Sequence, residues 1–219
     1  MKTRIFKLAF SLALMGLFTG CVAPYNYANY RAHPPRSILV LPPLNESTDV
    51  RGTYGYLSTV TAPLAEMGYY VYPVAVVDQF LKENGQPTSG EMHQIPPAKI
   101  REIIGADAVL YVTLKQYGTK YQLINSATIV AVTASLVDTA TGLTLWEGSA
   151  TVQQNSSSAS GGNIIADLIA DAVVAAIDQA VKSSTDQAHG VCRLANAQLF
   201  LTKDHGLLYG PYSPKARAQ

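Results

Sequence analysis

The first twenty-one residues constrain everything that follows them. Lys2, Arg4 and Lys7 form a positive head, and an apolar run extends from Leu8 to Phe18. A membrane-spanning helix needs roughly 18 or more apolar residues, so this shorter run reads as the h-region of a signal peptide. It ends Leu17-Phe18-Thr19-Gly20-Cys21, small residues directly before a cysteine. A chain that starts this way is expected to fold outside the cytoplasm after residues 1–20 are removed, with Cys21 at its new amino terminus.

The Leu-Phe-Thr-Gly-Cys sequence resembles the lipobox of bacterial lipoproteins, with Phe18 where leucine is commoner. The resemblance implies a diacylglyceryl group on the Cys21 thiol, cleavage before it, and acylation of the new amine. One acyl chain binds a bilayer marginally and two or more hold firmly, so a lipidated Cys21 anchors the chain stably to a membrane. The other reading is a plain secretory signal with an incidental cysteine. By the sorting rule known for enteric bacteria, retention in the inner membrane needs aspartate after the lipidated cysteine. Val22 stands there, so the expected destination is the outer membrane, periplasmic face.

Removing residues 1–20 takes three cations from the chain's sixteen and leaves its fifteen acids, a net charge of −2. No basic stripe remains, which argues against nucleic acid as a partner. Only Cys192 is left besides Cys21, so an intramolecular disulfide is excluded once Cys21 carries lipid. Cys192 is either a small apolar packing residue or a reactive thiol able to pair between chains. Tyr25, Tyr27 and Tyr30 crowd the segment just after the anchor. Tyrosine suits half-wet surfaces, which makes the three candidates for docking at the membrane face or onto a partner. A solvated, merely tyrosine-rich tether is the alternative.

Residues 22–36 carry Pro24, Asn26, Asn29, Pro34 and Pro35 without apolar periodicity and read as a linker of roughly 50 Å when extended. Ser37–Pro42 reads as a buried strand stopped by Pro42-Pro43, followed by the polar loop Asn45–Asp49. Helices are expected over Tyr56–Met67, Val76–Glu83 and from Pro96-Pro97 to Gly105, with a strand at Tyr69–Pro73 and a loop over Pro87–Gln94. Strands follow at Ala108–Leu114, Thr128–Val137 and Leu143–Val152, the last two joined by the turn Asp138-Thr-Ala-Thr-Gly142. Trp146 is expected in the core. Asn155–Gly162 reads as a Ser/Gly linker. Ile164–Val181 reads as a helix whose Asp167, Asp171 and Asp178 fall within about 40° of one another. So wide an apolar arc, with Leu168 and Val173 in it, needs cover from the sheet or from a second copy in a homodimer. Weak alternation at Ala197, Leu199 and Leu201 points to a further strand near the end.

The chain lacks G-x-S-x-G, S-x-x-K, H-E-x-x-H, C-x-x-C and any phosphate-binding glycine loop. His33, His93, His189 and His205 are scattered over expected loops without ligand spacing, so no metal and no cofactor is expected. Asp138 reads as a turn opener and Asp107 as a residue bonding local backbone at a strand start. The expectation is a protein that is not an enzyme.

Three segments carry a family resemblance: Ile38-Leu-Val-Leu-Pro-Pro-Leu-Asn-Glu-Ser47, Ile104-Gly-Ala-Asp-Ala-Val-Leu-Tyr111, and Val137-Asp-Thr-Ala-Thr-Gly-Leu-Thr-Leu-Trp146. Together behind a lipobox they resemble a family of bacterial lipoproteins of unknown function, related to the CsgG curli-secretion lipoprotein and to the amino-terminal domain of TolB. The resemblance covers nearly the whole chain, including Leu207–Pro211. It implies an α/β (α+β) domain with a single mixed sheet flanked by helices, spanning 37–187 after a lipidated tether at 21–36, with 188–219 packed on as a carboxy-terminal extension. It also implies a structural or assembly role beside a CsgG-like envelope lipoprotein; a regulator of a peptidoglycan synthase is the alternative. No pair of long amphipathic segments suits a membrane barrel, so the pore of CsgG itself is not implied.

Overall fold

A computed structural model describes residues 25–121, 126–155 and 187–218. The helix expected over Ile164–Val181, the linker before it, the signal peptide and Cys21 lie outside the described residues, and so does the helix-based argument for a homodimer. The elements run α1 (Ala28–Ala32), β1 (Ser37–Val40), β2 (Leu44–Asn45), α2 (Gly52–Glu66), β3 (Tyr70–Val71), α3 (Val74–Glu83), α4 (Ser89–Met92), α5 (Pro97–Ile104), β4 (Ala108–Tyr121), β5 (Ser126–Asp138), β6 (Thr144–Asn155) and α6 (Gln187–Leu201), then a short 3-10 turn at Pro214–Ala218.

The strands form one mixed sheet in the order β3-β1-β4-β5-β6, with β2 also on β4. β1 pairs in parallel with β3 and β4, and β4, β5 and β6 are antiparallel. The expected α+β fold with a single mixed sheet is what the chain adopts. Ile38, Leu39 and Val40 are all buried, as a parallel strand sandwiched on both faces requires. The ladder stops at Pro42-Pro43, which have no N–H to give, and resumes where Leu44 faces Thr113.

Two helical layers cover the sheet unequally. On one face α2 presents Tyr56, Leu57, Val60 and Leu64, and α6 presents Val191, Cys192, Ala195 and Leu199, to a core that spans β1 through β6. On the other face a smaller cluster joins Leu39, Leu41 and Val109 to Val77 and Leu81 of α3, Met92 of α4 and Ile100 of α5. Among the described residues no helix covers the rest of that second face, over β5 and β6: Thr133 and Ser135 are half-buried, and Glu147 and Ser149 are exposed.

Three local expectations are corrected. The carboxy-terminal alternation belongs to helix α6, buried on so much of its circumference that every second residue is inward. Residues 87–94 are not a plain loop. Thr88 accepts from the Glu91 N–H while the Glu91 carboxylate accepts from the Thr88 N–H, a capping box that starts α4. Residues 25–33 are not extended chain either, for α1 lies against the start of β6 with Tyr30 buried. The hairpin turn is as expected. Gly142 has φ +74, and Asp138 accepts from the Thr141 N–H at 3.1 Å. Trp146 is wholly buried, its indole 5.8 Å from the Phe200 ring.

Candidate functional site

The most elaborately built part of the surface is the seat of the amino-terminal segment. The Tyr25 hydroxyl accepts from the Glu147 N–H at 2.8 Å, a donor that β6 points away from β5 at the open edge of the sheet. Its ring lies 4.7 Å from the Tyr27 ring and edge-on to His205 at 6.4 Å. Tyr27 donates to the Gly206 carbonyl at 2.5 Å, and Asn29 donates to the Thr144 carbonyl at 3.0 Å.

Deeper in, Tyr69 donates to the Leu208 carbonyl at 2.5 Å. With its proton so used, it can only accept from Tyr30, whose hydroxyl is 2.5 Å away. Burial pushes both phenols above their ordinary value, so the relay stays neutral at physiological pH. Trp146 donates to the His205 carbonyl at 2.9 Å. The loop after α6 is thus held by three aromatic donors, on the carbonyls of His205, Gly206 and Leu208. One of the three comes from the segment just behind Cys21.

Tyr25, Tyr27 and Tyr30 therefore do dock, onto the chain's own domain. Tyr30 is 4% exposed and unavailable to a partner. Tyr25 and Tyr27 are half-buried and keep an outward edge. The missed signal lay in the spacing of Tyr27 and Tyr30, three residues apart on one helical face.

The remaining candidates do not converge on chemistry. The open face has a shallow hollow lined by Tyr111, Thr113, Thr133, Ser135 and Glu147. His93 borders this face, its ring 5.3 Å from Tyr111 and its Nε2 3.0 Å from the Pro42 carbonyl. Burial lowers its pKa and the carbonyl partly opposes this, so the neutral ring donating through Nε2 is the form held. His33 is exposed, and His189 lies on α6 rather than in a loop. Among the described residues no three His, Cys, Asp or Glu side chains gather as metal ligands. Cys192 is fully buried beside Tyr56, which makes it packing and keeps it from a partner's thiol. Asp107 does more than bond locally. Its Oδ2 accepts from Arg36 N, Ser37 N and Ser37 Oγ, pinning the start of β1 to the start of β4.

The chain is thus an α+β domain of one mixed sheet, with the segment that follows Cys21 in sequence seated on it from Tyr25 onward. The chain belongs to the GNA1162-like lipoprotein family, whose model matches residues 25–212. It is 41% identical over 212 residues, 96% of each chain, to a lipoprotein of Neisseria meningitidis serogroup B. It is also similar to the crystal structure of lipoprotein GNA1162 from Neisseria meningitidis, at 44% identity and a TM-score of 0.56, covering 68% of this chain and all of that one. The LpoB carboxy-terminal domain from Salmonella enterica is more distant, 20% identical with a TM-score of 0.40, covering 54% of this chain and 83% of its own. That likeness carries no functional argument.

Proposed function

We propose that the chain is a lipid-anchored, non-catalytic protein of the cell envelope, held by acyl groups on Cys21 to the periplasmic face of the outer membrane. It acts there through protein contacts beside a CsgG-like lipoprotein. The observation that carries this reading is the aromatic seat. A segment immediately behind a lipidated cysteine is fixed to the domain by a hydrogen bond that Tyr25 accepts and by those that Tyr27 and Asn29 donate. Such fixing suits a protein whose task depends on where it sits and which way it faces. The outer-membrane destination rests on Val22, the CsgG-like partner on the three sequence motifs, and the non-catalytic reading on a sequence without a catalytic motif.

The alternative, an activator of a peptidoglycan synthase, calls for a long reach across the periplasm, and a seated segment shortens that reach. Co-purification from detergent-solubilised envelope separates the two. A CsgG-like lipoprotein among the partners supports the first and a penicillin-binding protein supports the second. Replacing Cys21 with Ala should block lipidation and leave uncleaved or soluble protein; normal membrane fractionation of that variant would remove the anchor from this reading.

A further inference from the structure

The seat also fixes how far the domain can stand from its lipid, an inference that rests on the lipidation of Cys21. An unseated linker over residues 22–36 would reach roughly 50 Å, but Tyr25 is already docked. Only residues 22–24 separate it from Cys21, and four residue steps at 3.3–3.6 Å each span at most about 14 Å. The point of attachment is not central. Tyr25 bonds Glu147 and Asn29 bonds Thr144, both at the first residues of β6. The hairpin turn at 139–142 and the Asp107 junction with Ser37 share this end of the sheet. The other end of β6, at Asn155, is eleven residues further on, roughly 36 Å away at 3.3 Å per residue.

We propose that this end of the domain, bearing residues 25–32, the 139–143 turn and His205, rests on the lipid headgroup surface of the membrane that holds Cys21, while the far ends of β4, β5 and β6 stand away from it. The charges at the near end are mixed, with Arg31, Arg36 and Lys203 against Glu147 and Asp204, so the contact is imposed by the short leash rather than by attraction. Leu143, 43% exposed in the turn, and Tyr70, 53% exposed beside Ser37 at the start of β3, are large side chains at this end free to enter the headgroup layer.

The test uses the full lipidated protein in phosphatidylethanolamine–phosphatidylglycerol vesicles carrying a headgroup-bound paramagnetic quencher. A fluorophore is placed on Ala140→Cys at the near end or on Gln153→Cys at the far end; both positions are exposed, and Cys192 is buried. Flotation of the vesicles reports the anchor in the same samples. The expected result is co-flotation, with quenching at position 140 several-fold stronger than at 153. A long Gly/Ser insertion between residues 24 and 25 should then bring the two nearly level. Co-flotation with equal quenching, with stronger quenching at 153, or with no effect of the insertion overturns the orientation and leaves the anchor standing. Failure to float overturns the anchor and this inference with it.

Discussion

The two halves of the sheet are solved differently. In the parallel half, Ile38-Leu-Val-Leu41 and Ala108-Val-Leu110 are buried at every position, because helices lie on both faces. In the antiparallel half, Val130, Val132, Ala134 and Leu136 are buried while Ala131, Thr133 and Ser135 between them are half-exposed, because among the described residues only one face has helical cover. The contrast shows that a strand's own pattern reports how many layers it will carry. A continuous apolar run demands two, and alternation demands one.

The largest expected effect comes from adjacent residues on β5. Val132→Asp buries an unpaired carboxylate under α6 and should cost at least about 3–5 kcal/mol, enough to unfold many domains. Thr133→Asp, one step along and on the open face, should cost no more than about 1 kcal/mol by denaturant titration. In the parallel half the neighbours Leu39 and Val40 should both behave like Val132. If Leu39→Asp and Thr133→Asp proved equally mild, the two halves would not differ as described.

A smaller effect is expected at Gly148 on the covered face of β6. A Cβ there would lie 2.4 Å from Cζ2 of Trp146 and 3.1 Å from the Leu199 side chain, so Gly148→Val overpacks the junction with α6. A loss of about 1–3 kcal/mol, read as a lower melting temperature, is expected. Gly142 tests backbone alone, since its φ is +74 and nothing approaches its Cβ position. Gly142→Val should cost about 1–2 kcal/mol, and Thr141→Ser, which keeps the hydroxyl bonded to Asp138, should leave the melting temperature unchanged.

The smallest effect lies at the border of the two halves, where His93 is the last cover over Tyr111. Its folded pKa is lowered by burial from 6.5. The unfolded chain therefore binds the proton more readily, so His93's contribution is complete above about pH 6.5 and declines as pH falls from there towards the folded value. His93→Phe should flatten that part of the stability profile. An unchanged slope would show that the ring titrates as freely as in water.

Much of this was legible because each signal was local. Pro42-Pro43, Gly105 with φ +83 and the Asp138–Gly142 turn punctuate the chain where the elements end. What escaped was set by distant packing. Ala188, Val191, Cys192, Ala195 and Leu199 recur at helical spacing, but burial of Ala197 and Phe200 as well blurs that period into apparent alternation. Thr88 and Glu91 did carry the capping-box signature, four residues inside a stretch rich in loop formers. The seat was invisible for another reason. Beyond the spacing of Tyr27 and Tyr30, its partners are backbone groups far along the chain, at Thr144, Glu147 and after residue 204, which no side-chain pattern announces.

That last feature has a bearing on timing. The bond from Tyr27 to Gly206 closes a loop of 179 residues, among the longest separations the chain allows. Contacts so distant in sequence form late, and a chain emerging amino terminus first has no Gly206 to offer until nearly all of it has been delivered. Until then the bond from Tyr27 cannot form, and the seat is limited to the contacts of Tyr25 and Asn29 with the start of β6. A chain cut short before His205 would lose the bonds that Tyr27 and Trp146 make to the loop after α6, and its amino-terminal segment would be left with Tyr25 on Glu147 and Asn29 on Thr144 as its holds on β6.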